Sequence, residues 1–339
     1  MANHSCIPNA TVQFAGRYAI LRADAPLQSG QEIEISYTDV TYPLSKRRDA
    51  LDWYYFDCQC PRCLQDLNVY QAAALEPSTT LKLNEFSVVP SLASKIRNHP
   101  ATKVPDIIAT AQDAAEKLVH LITPQEDGEP AVLRAELQQK YTQCRPLVAH
   151  ELWAVPPLSH ILMDVTRYYS SQHAWSFALV VACLEATASN PYQYVPPFET
   201  PRVRVLYMIA KLLSNTAAEC GGCPPTNKLK SLDAALTKEI TAALWEIDQI
   251  ALCQMLLIMV IKAAPAGYEA HWPMTTMAKT MLDEISILPG RNDEQSIINE
   301  WANSPGSERS RAFFEYAVVQ PMERLSAFGR DVLRKEFGY

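Results

Sequence analysis

A chain of 339 residues that is 48% hydrophobic and 20% charged has ample material for a buried core and for two domains. Its formal net charge of −7 argues against broad electrostatic attraction to nucleic acid, which depends on clustered Lys and Arg. No apolar run reaches the roughly 18 residues of a membrane span, and Met1 leads into polar sequence rather than a signal peptide. The expectation is a soluble protein of the nucleus and/or cytoplasm, with no membrane partner, whose nine cysteines are thiols or metal ligands before they are disulfides.

The chain opens on Asn3-His4-Ser5-Cys6-Ile7-Pro8-Asn9, in which Asn9 after Pro8 reads as a turn residue. Three short strands follow over Thr11–Phe14, Tyr18–Arg22 and Glu32–Ser36, separated by Ala15-Gly16 and Gln28-Ser29-Gly30 turns. After Pro43 the spacing of Leu44, Arg47, Arg48 and Leu51 predicts a short helix, and Lys46-Arg47-Arg48 reads as its solvated face.

From about Leu67 to Pro105 periodicity is lost and prolines recur, which predicts a linker or irregular segment. Beyond it the pattern is helical over 107–122, 131–153, 159–171, 174–188, 202–219, 227–264, 275–288 and 309–337. Alanines at close-packing positions in Trp175–Leu184 suit stacked antiparallel helices, although no strict 34-residue repeat is present. His120, His150, His160 and His271 fall in this helical region and read as core or surface residues.

Chemistry concentrates in Cys58-Gln59-Cys60-Pro61-Arg62-Cys63, because C-x-C-x-x-C can supply three thiolates to a tetrahedral ion and needs one more ligand. Spacing alone does not choose among Cys6, Cys144, Cys183 and Cys253 for that ligand, and three buried structural thiols are the alternative. Cys220-Gly221-Gly222-Cys223 has CxxC spacing but no second pair nearby, so it reads as a loop between helices.

The Asn-His-Ser-Cys run, the Ile33-Glu34-Ile35-Ser36-Tyr37 strand end, the aromatic Tyr54-Tyr55-Phe56 and the cysteine cluster together resemble, in that order, the C-terminal half of a SET domain with its post-SET zinc site. Within SET proteins they look most like the SET and MYND (SMYD) branch. The resemblance implies an α+β chain: residues 1–42 the C-terminal part of a β-rich SET domain, 43–66 a post-SET zinc segment, 67–105 the linker, and 106–339 an all-α, TPR-like helical domain.

It also implies S-adenosylmethionine and Zn2+ as cofactors, and a protein substrate, histone or non-histone, presenting a target lysine. By this likeness Asn3 and His4 match the cofactor-binding Asn-His. Tyr37 matches the tyrosine nearest to a catalytic residue, Tyr54 lines the lysine channel and also touches the cofactor, and Phe56 packs on the adenine. Cys6 becomes the fourth metal ligand beside Cys58, Cys60 and Cys63. Without the resemblance, Asn3-His4-Ser5 is a turn, Tyr37 a strand tyrosine, and Tyr54 and Phe56 core aromatics.

A SET domain begins well before its Asn-His-Ser-Cys motif, so the resemblance covers roughly residues 1–66 and implies an N-terminally truncated SET lobe. The expectation is accordingly a SET-type protein-lysine methyltransferase by family that, in this chain, holds S-adenosylmethionine poorly and is inactive. Its rival is a non-catalytic, zinc-stabilised interaction module that uses the helical array, and a nucleic-acid binder is disfavoured by the acidic charge.

Overall fold

The computed structural model describes residues 2–24, 26–75, 87–124, 128–195, 200–220, 232–264 and 272–338. The result is an α+β chain in which a small β segment leads into a large helical assembly. Strand β1 (Asn3–His4) pairs in parallel with β4 (Glu34–Ile35), placing Asn3 opposite Glu34 and His4 opposite Ile35. Strands β2 (Ala10–Ala15) and β3 (Tyr18–Ala23) form an antiparallel hairpin whose tight turn is made by Gly16 at φ +58°.

The third expected strand is thus cut to two residues, and Asn9 explains how the chain still holds there. Its side chain donates to Glu32 O at 2.9 Å and accepts from Glu34 N at 2.9 Å, while its own N–H reaches Glu34 O at 3.1 Å. Asn9 therefore does the work of a strand residue as well as turning the chain. One face of the hairpin lies on the helices, with Gln13 Nε2 donating to Thr200 Oγ1 at 2.8 Å and Arg22 Nη1 to Ala263 O at 3.0 Å.

Pro43 stands immediately before the helix Leu44–Leu51, as expected. Of the basic face read from Lys46-Arg47-Arg48, Arg48 is exposed and Lys46 partly so, but Arg47 is 1% exposed and buried with Leu51.

In the described parts of the span 67–105, which exclude 76–86, the chain is helical rather than a linker or irregular segment. Helices form over Val69–Leu75, Leu92–Asn98 and Pro100–Lys103, and their Tyr70, Leu92, Ile96 and Ala101 belong to the same apolar core as the later helices. Pro100 and Pro105 open helices at the first turn, where a missing N–H costs nothing, so the prolines mark starts rather than irregularity.

Helix Trp175–Leu184 is the centre of the assembly. It is apolar on every side, and Phe177 to Leu184 are all buried. It packs against Leu158–Ser171, Thr200–Cys220 and Gln320–Val332. Two long helical patterns break where local chemistry restarts a helix. The 131–153 pattern divides at Cys144, with Pro146 in the first turn of Arg145–Ala149. The 227–264 pattern divides into Ala234–Trp245 and Gln249–Lys262, bent by 77°, because Asp248 caps the second by accepting from Ala251 N at 2.9 Å. Helix Asn292–Asn303 lies where no helix was anticipated. Among the described residues no single helix is long and apolar enough to cross a membrane.

Candidate metal centre and aromatic site

Cys6 lies two residues beyond the end of β1, and Cys58 and Cys60 sit on extended chain after the turn Asp52–Tyr54. Pro61 opens the short helix Pro61–Leu64, whose first turn folds Cys63 back over Cys60: both Cys63 N and Leu64 N reach Cys60 O at 3.0 Å. The four sulfurs converge within 4.8 Å of one another, with Cys6 Sγ and Cys63 Sγ 3.5 Å apart and both residues buried. A tetrahedron with bonds of about 2.3 Å to sulfur has edges of about 3.8 Å, so the donor set fits a thiophilic cation such as zinc.

The protonation pattern supports this fit. Hydrogen bonds from the Cys6 and Cys63 thiols hold Cys60 far below the usual thiol range, whereas the same contact with Cys60 pushes Cys6 up and burial raises Cys58 to about 11. Cys144, Cys183 and Cys253 are buried in the helical part, apart from this cluster. Of the CxxC pair in the loop, Cys220 closes the helix Thr200–Cys220 and Cys223 lies outside the described residues; His271 also lies outside them.

Beside the cysteines stands a cluster of rings. His4 Nδ1 accepts from Tyr37 N at 3.0 Å while its Nε2 lies 3.3 Å from Cys6 Sγ, so the ring joins the cysteine cluster to the strand end. Burial lowers the His4 pKa, which keeps the imidazole neutral and able to accept on Nδ1. Ring centroids are 5.2 Å apart for His4 and Tyr37, 5.8 Å for His4 and Phe56, and 4.8 Å for Tyr37 and Tyr54. Tyr37 OH donates to Ala2 O at 2.6 Å, and Asn3 Nδ2 donates to Glu32 Oε1.

Most of the residues singled out in the sequence therefore come together: His4, Tyr37, Tyr54 and Phe56 form one neighbourhood, and Cys6, Cys58, Cys60 and Cys63 another, while the Asn3 side chain turns to Glu32. A cleft of about 600 Å3 reaches Tyr37 and Tyr54 between the β segment and the helices, and Asp39, Tyr192, Tyr194 and Val195 also line it. His4 and Phe56 are not among its lining residues. Trp53 and Tyr55 beside this site are 83% and 95% exposed.

Sequence reading missed Arg47, Arg62 and the cleft's Tyr192 and Tyr194. The two arginines carried no signal beyond their position in a helix and a knuckle. The two tyrosines come from Asn190–Gln193 and the residue after it, a segment that only the tertiary fold brings to the cleft.

No protein-family model matches the chain. Curated relatives do. A SET and MYND domain-containing protein of Dictyostelium discoideum is 43% identical over 67 residues, which is 20% of this chain and 17% of that protein. N-lysine methyltransferase SMYD2-B of Xenopus laevis is 33% identical over 130 residues, 37% of this chain and 26% of that protein. Human N-lysine methyltransferase SMYD2 is 42% identical over 64 residues, 19% of this chain and 15% of that protein. The likeness to SET and MYND proteins is thus present in the sequence, and the chain spans between 15 and 26% of the length of these three relatives.

Proposed function

We propose that this chain carries the lysine-facing part of a SET-type, S-adenosylmethionine-dependent protein-lysine N-methyltransferase of the SMYD kind, with a post-SET zinc site and a TPR-like helical domain flanking the substrate cleft. The observation that carries the reading is the position of Tyr37. Its ring meets Tyr54, which shares the cleft with it, and also meets His4 and Phe56, which lie outside the cleft lining. That separation suits a substrate arriving through the cleft and a cofactor lying against His4 and Phe56.

S-adenosylmethionine would supply a methyl group on a sulfonium for in-line displacement. Phe56 offers a partly exposed ring face to an adenine, and Asn3 an exposed amide, so the residues present fit one wall of such a pocket. Tyr37 and Tyr54 would hold the lysine's cationic nitrogen against their faces and aim it once neutral, a task of orientation and desolvation more than of strong base catalysis. The Tyr37 hydroxyl is fixed by its bond to Ala2 O, and the backbone N–H of Tyr37 by His4. The target lysine belongs to a protein, histone or non-histone, whose flanking residues would rest on the cleft.

The 339-residue chain is expected to hold the cofactor weakly, and the open cleft beside Tyr37 and Tyr54 also suits a second reading, a zinc-held interaction module that binds a peptide there without chemistry. Calorimetry with S-adenosylmethionine, alongside transfer of a labelled methyl group to protein substrates by chains extended upstream of Met1, separates them. Weak binding by this chain with transfer by the extended one, abolished by Tyr37→Phe, supports the proposal. Micromolar binding by this chain overturns its weak retention, and peptide binding without transfer by the extended chain selects the interaction module.

A further inference from the structure

Two guanidinium groups are buried against the cysteine cluster, and charge accounting gives them a task. Arg47 and Arg62 are 1% and 4% exposed. Arg47 Nη2 donates to Cys63 Sγ at 3.7 Å and its Nη1 to Tyr42 O, while Nε has no partner among the described residues. Arg62 sits inside the knuckle between Cys60 and Cys63, and its Nε donates to Leu67 O at 3.3 Å. No carboxylate forms an ion pair with either side chain among the described residues.

A buried arginine without a carboxylate is costly, and two that repel one another are costlier. Apart from the backbone carbonyls of Tyr42 and Leu67, the polar group that the two side chains meet is the Cys63 sulfur, which Arg47 touches and which Arg62 precedes by one residue. With no carboxylate paired to either, the countercharge within reach of these buried groups is the cysteine cluster they border. Four thiolates around one divalent cation retain two negative charges, which two guanidinium groups cancel. Without the cation fewer thiolates form, and part of the arginines' charge is left unbalanced.

We propose that Arg47 and Arg62 are built-in counter-cations of the four-cysteine centre, positioning residues that make it a charge-neutral buried unit when it holds one divalent, thiophilic ion. This stands independently of methyl transfer, because it rests on the cysteine cluster alone. The arginines stabilise the loaded centre, where four thiolates face them, and strain the empty one, where their charge is only partly offset.

The two loading states therefore respond with opposite signs, which a merely packing role would not produce. The test takes the full chain and its Arg47→Met, Arg47→Lys and Arg62→Met variants and measures Zn2+ affinity by competition with a chromophoric chelator. Thermal melting is recorded with one equivalent of Zn2+ and after chelation. Expected are a loss of zinc affinity of at least tenfold in each methionine variant and a narrowed gap between loaded and chelated melting temperatures. The chelated form should be no less stable than the parent, and Arg47→Lys should recover most of the affinity. Zinc affinities within twofold of the parent, or an equal drop in both melting temperatures, overturn the proposal. If Arg47→Met does not fold, the Arg62→Met melting gap decides in the same way.

Discussion

His4 takes the backbone N–H of Tyr37 on Nδ1 at 3.0 Å, and the other nitrogen of the same ring lies 3.3 Å from Cys6 Sγ. The ring therefore bridges the cysteines and the strand end, beside the bonds from Ser5 N to Ile35 O at 3.0 Å and from Tyr37 OH to Ala2 O at 2.6 Å. The parallel pair Asn3–His4 with Glu34–Ile35 is only two residues long, so it offers little independent hold on Tyr37.

Stripping the metal should for this reason loosen Tyr37. Amide hydrogen exchange at Tyr37 is expected to rise about tenfold or more on chelation, the equivalent of about 1.4 kcal/mol of lost protection. Cys63→Ser should reproduce the rise, and His4→Ala should produce it with zinc still bound. Exchange at Tyr37 that ignores both chelation and His4→Ala would show that the ring carries no such coupling.

Tyr70 tests whether the span 67–105 is part of the folded core. Its hydroxyl accepts the N–H of Ala154 at 3.1 Å, its ring stacks on His99 at 3.9 Å between centroids, and it is fully buried. Tyr70→Phe leaves the buried Ala154 N–H without its acceptor, which should cost about 1–3 kcal/mol in denaturant unfolding. A free spacer would show no change.

How far the sequence could carry this structure is visible in the same residues. Alternation and turn glycines located the hairpin, and Pro43 located the helix Leu44–Leu51, because those signals are local. The cysteine triplet was legible from spacing, while Cys6, 57 positions from Cys63, was named only by likeness to a family, because the contact that joins it to the cluster is tertiary. Tyr37, Tyr54 and Phe56 were picked out by likeness to a family, and their mutual distances follow from the folded chain. What stayed hidden has a common cause. Arg47 looks like any helix-surface arginine until its neighbours are known, and Asn9 looks like a turn residue until its side chain is seen bridging Glu32 and Glu34. Pro100 and Pro105 were read as breakers because a proline at a helix start and one in a loop share the same local sequence.

Gly329 marks the closest approach in the helical core. A Cβ at this position would come within 2.5 Å of Val180 O and 2.9 Å of the Leu184 Cβ, on the central helix Trp175–Leu184. The obstacle is backbone, which cannot rotate away. Gly329→Ala should therefore destabilise the chain by about 1–3 kcal/mol despite the helix propensity that alanine adds. A neutral or stabilising result in urea unfolding would mean that Gln320–Val332 shifts freely over its neighbour.

Glu185 gives the helical part a dependence on pH. It is fully buried at the head of the π-helical turn Glu185–Ser189, and its Oε2 has no hydrogen-bond partner among the described residues. Burial, aided by the charge of Asp164, raises its pKa from 4.5 to about 7. Because the folded value lies above the unfolded one, the folded state binds the extra proton. Its contribution is fully present below about pH 4.5 and is lost as pH rises through about 7, a loss of up to about 3 kcal/mol. Glu185→Gln removes the titration, so the variant should be more stable than the parent at pH 8 and differ from it little at pH 4.5. Unfolding free energies measured at both values check this. A variant destabilised equally at pH 4.5 and pH 8 would show that the carboxyl is held by a bond that the amide cannot replace, and that its burial is not a source of pH dependence.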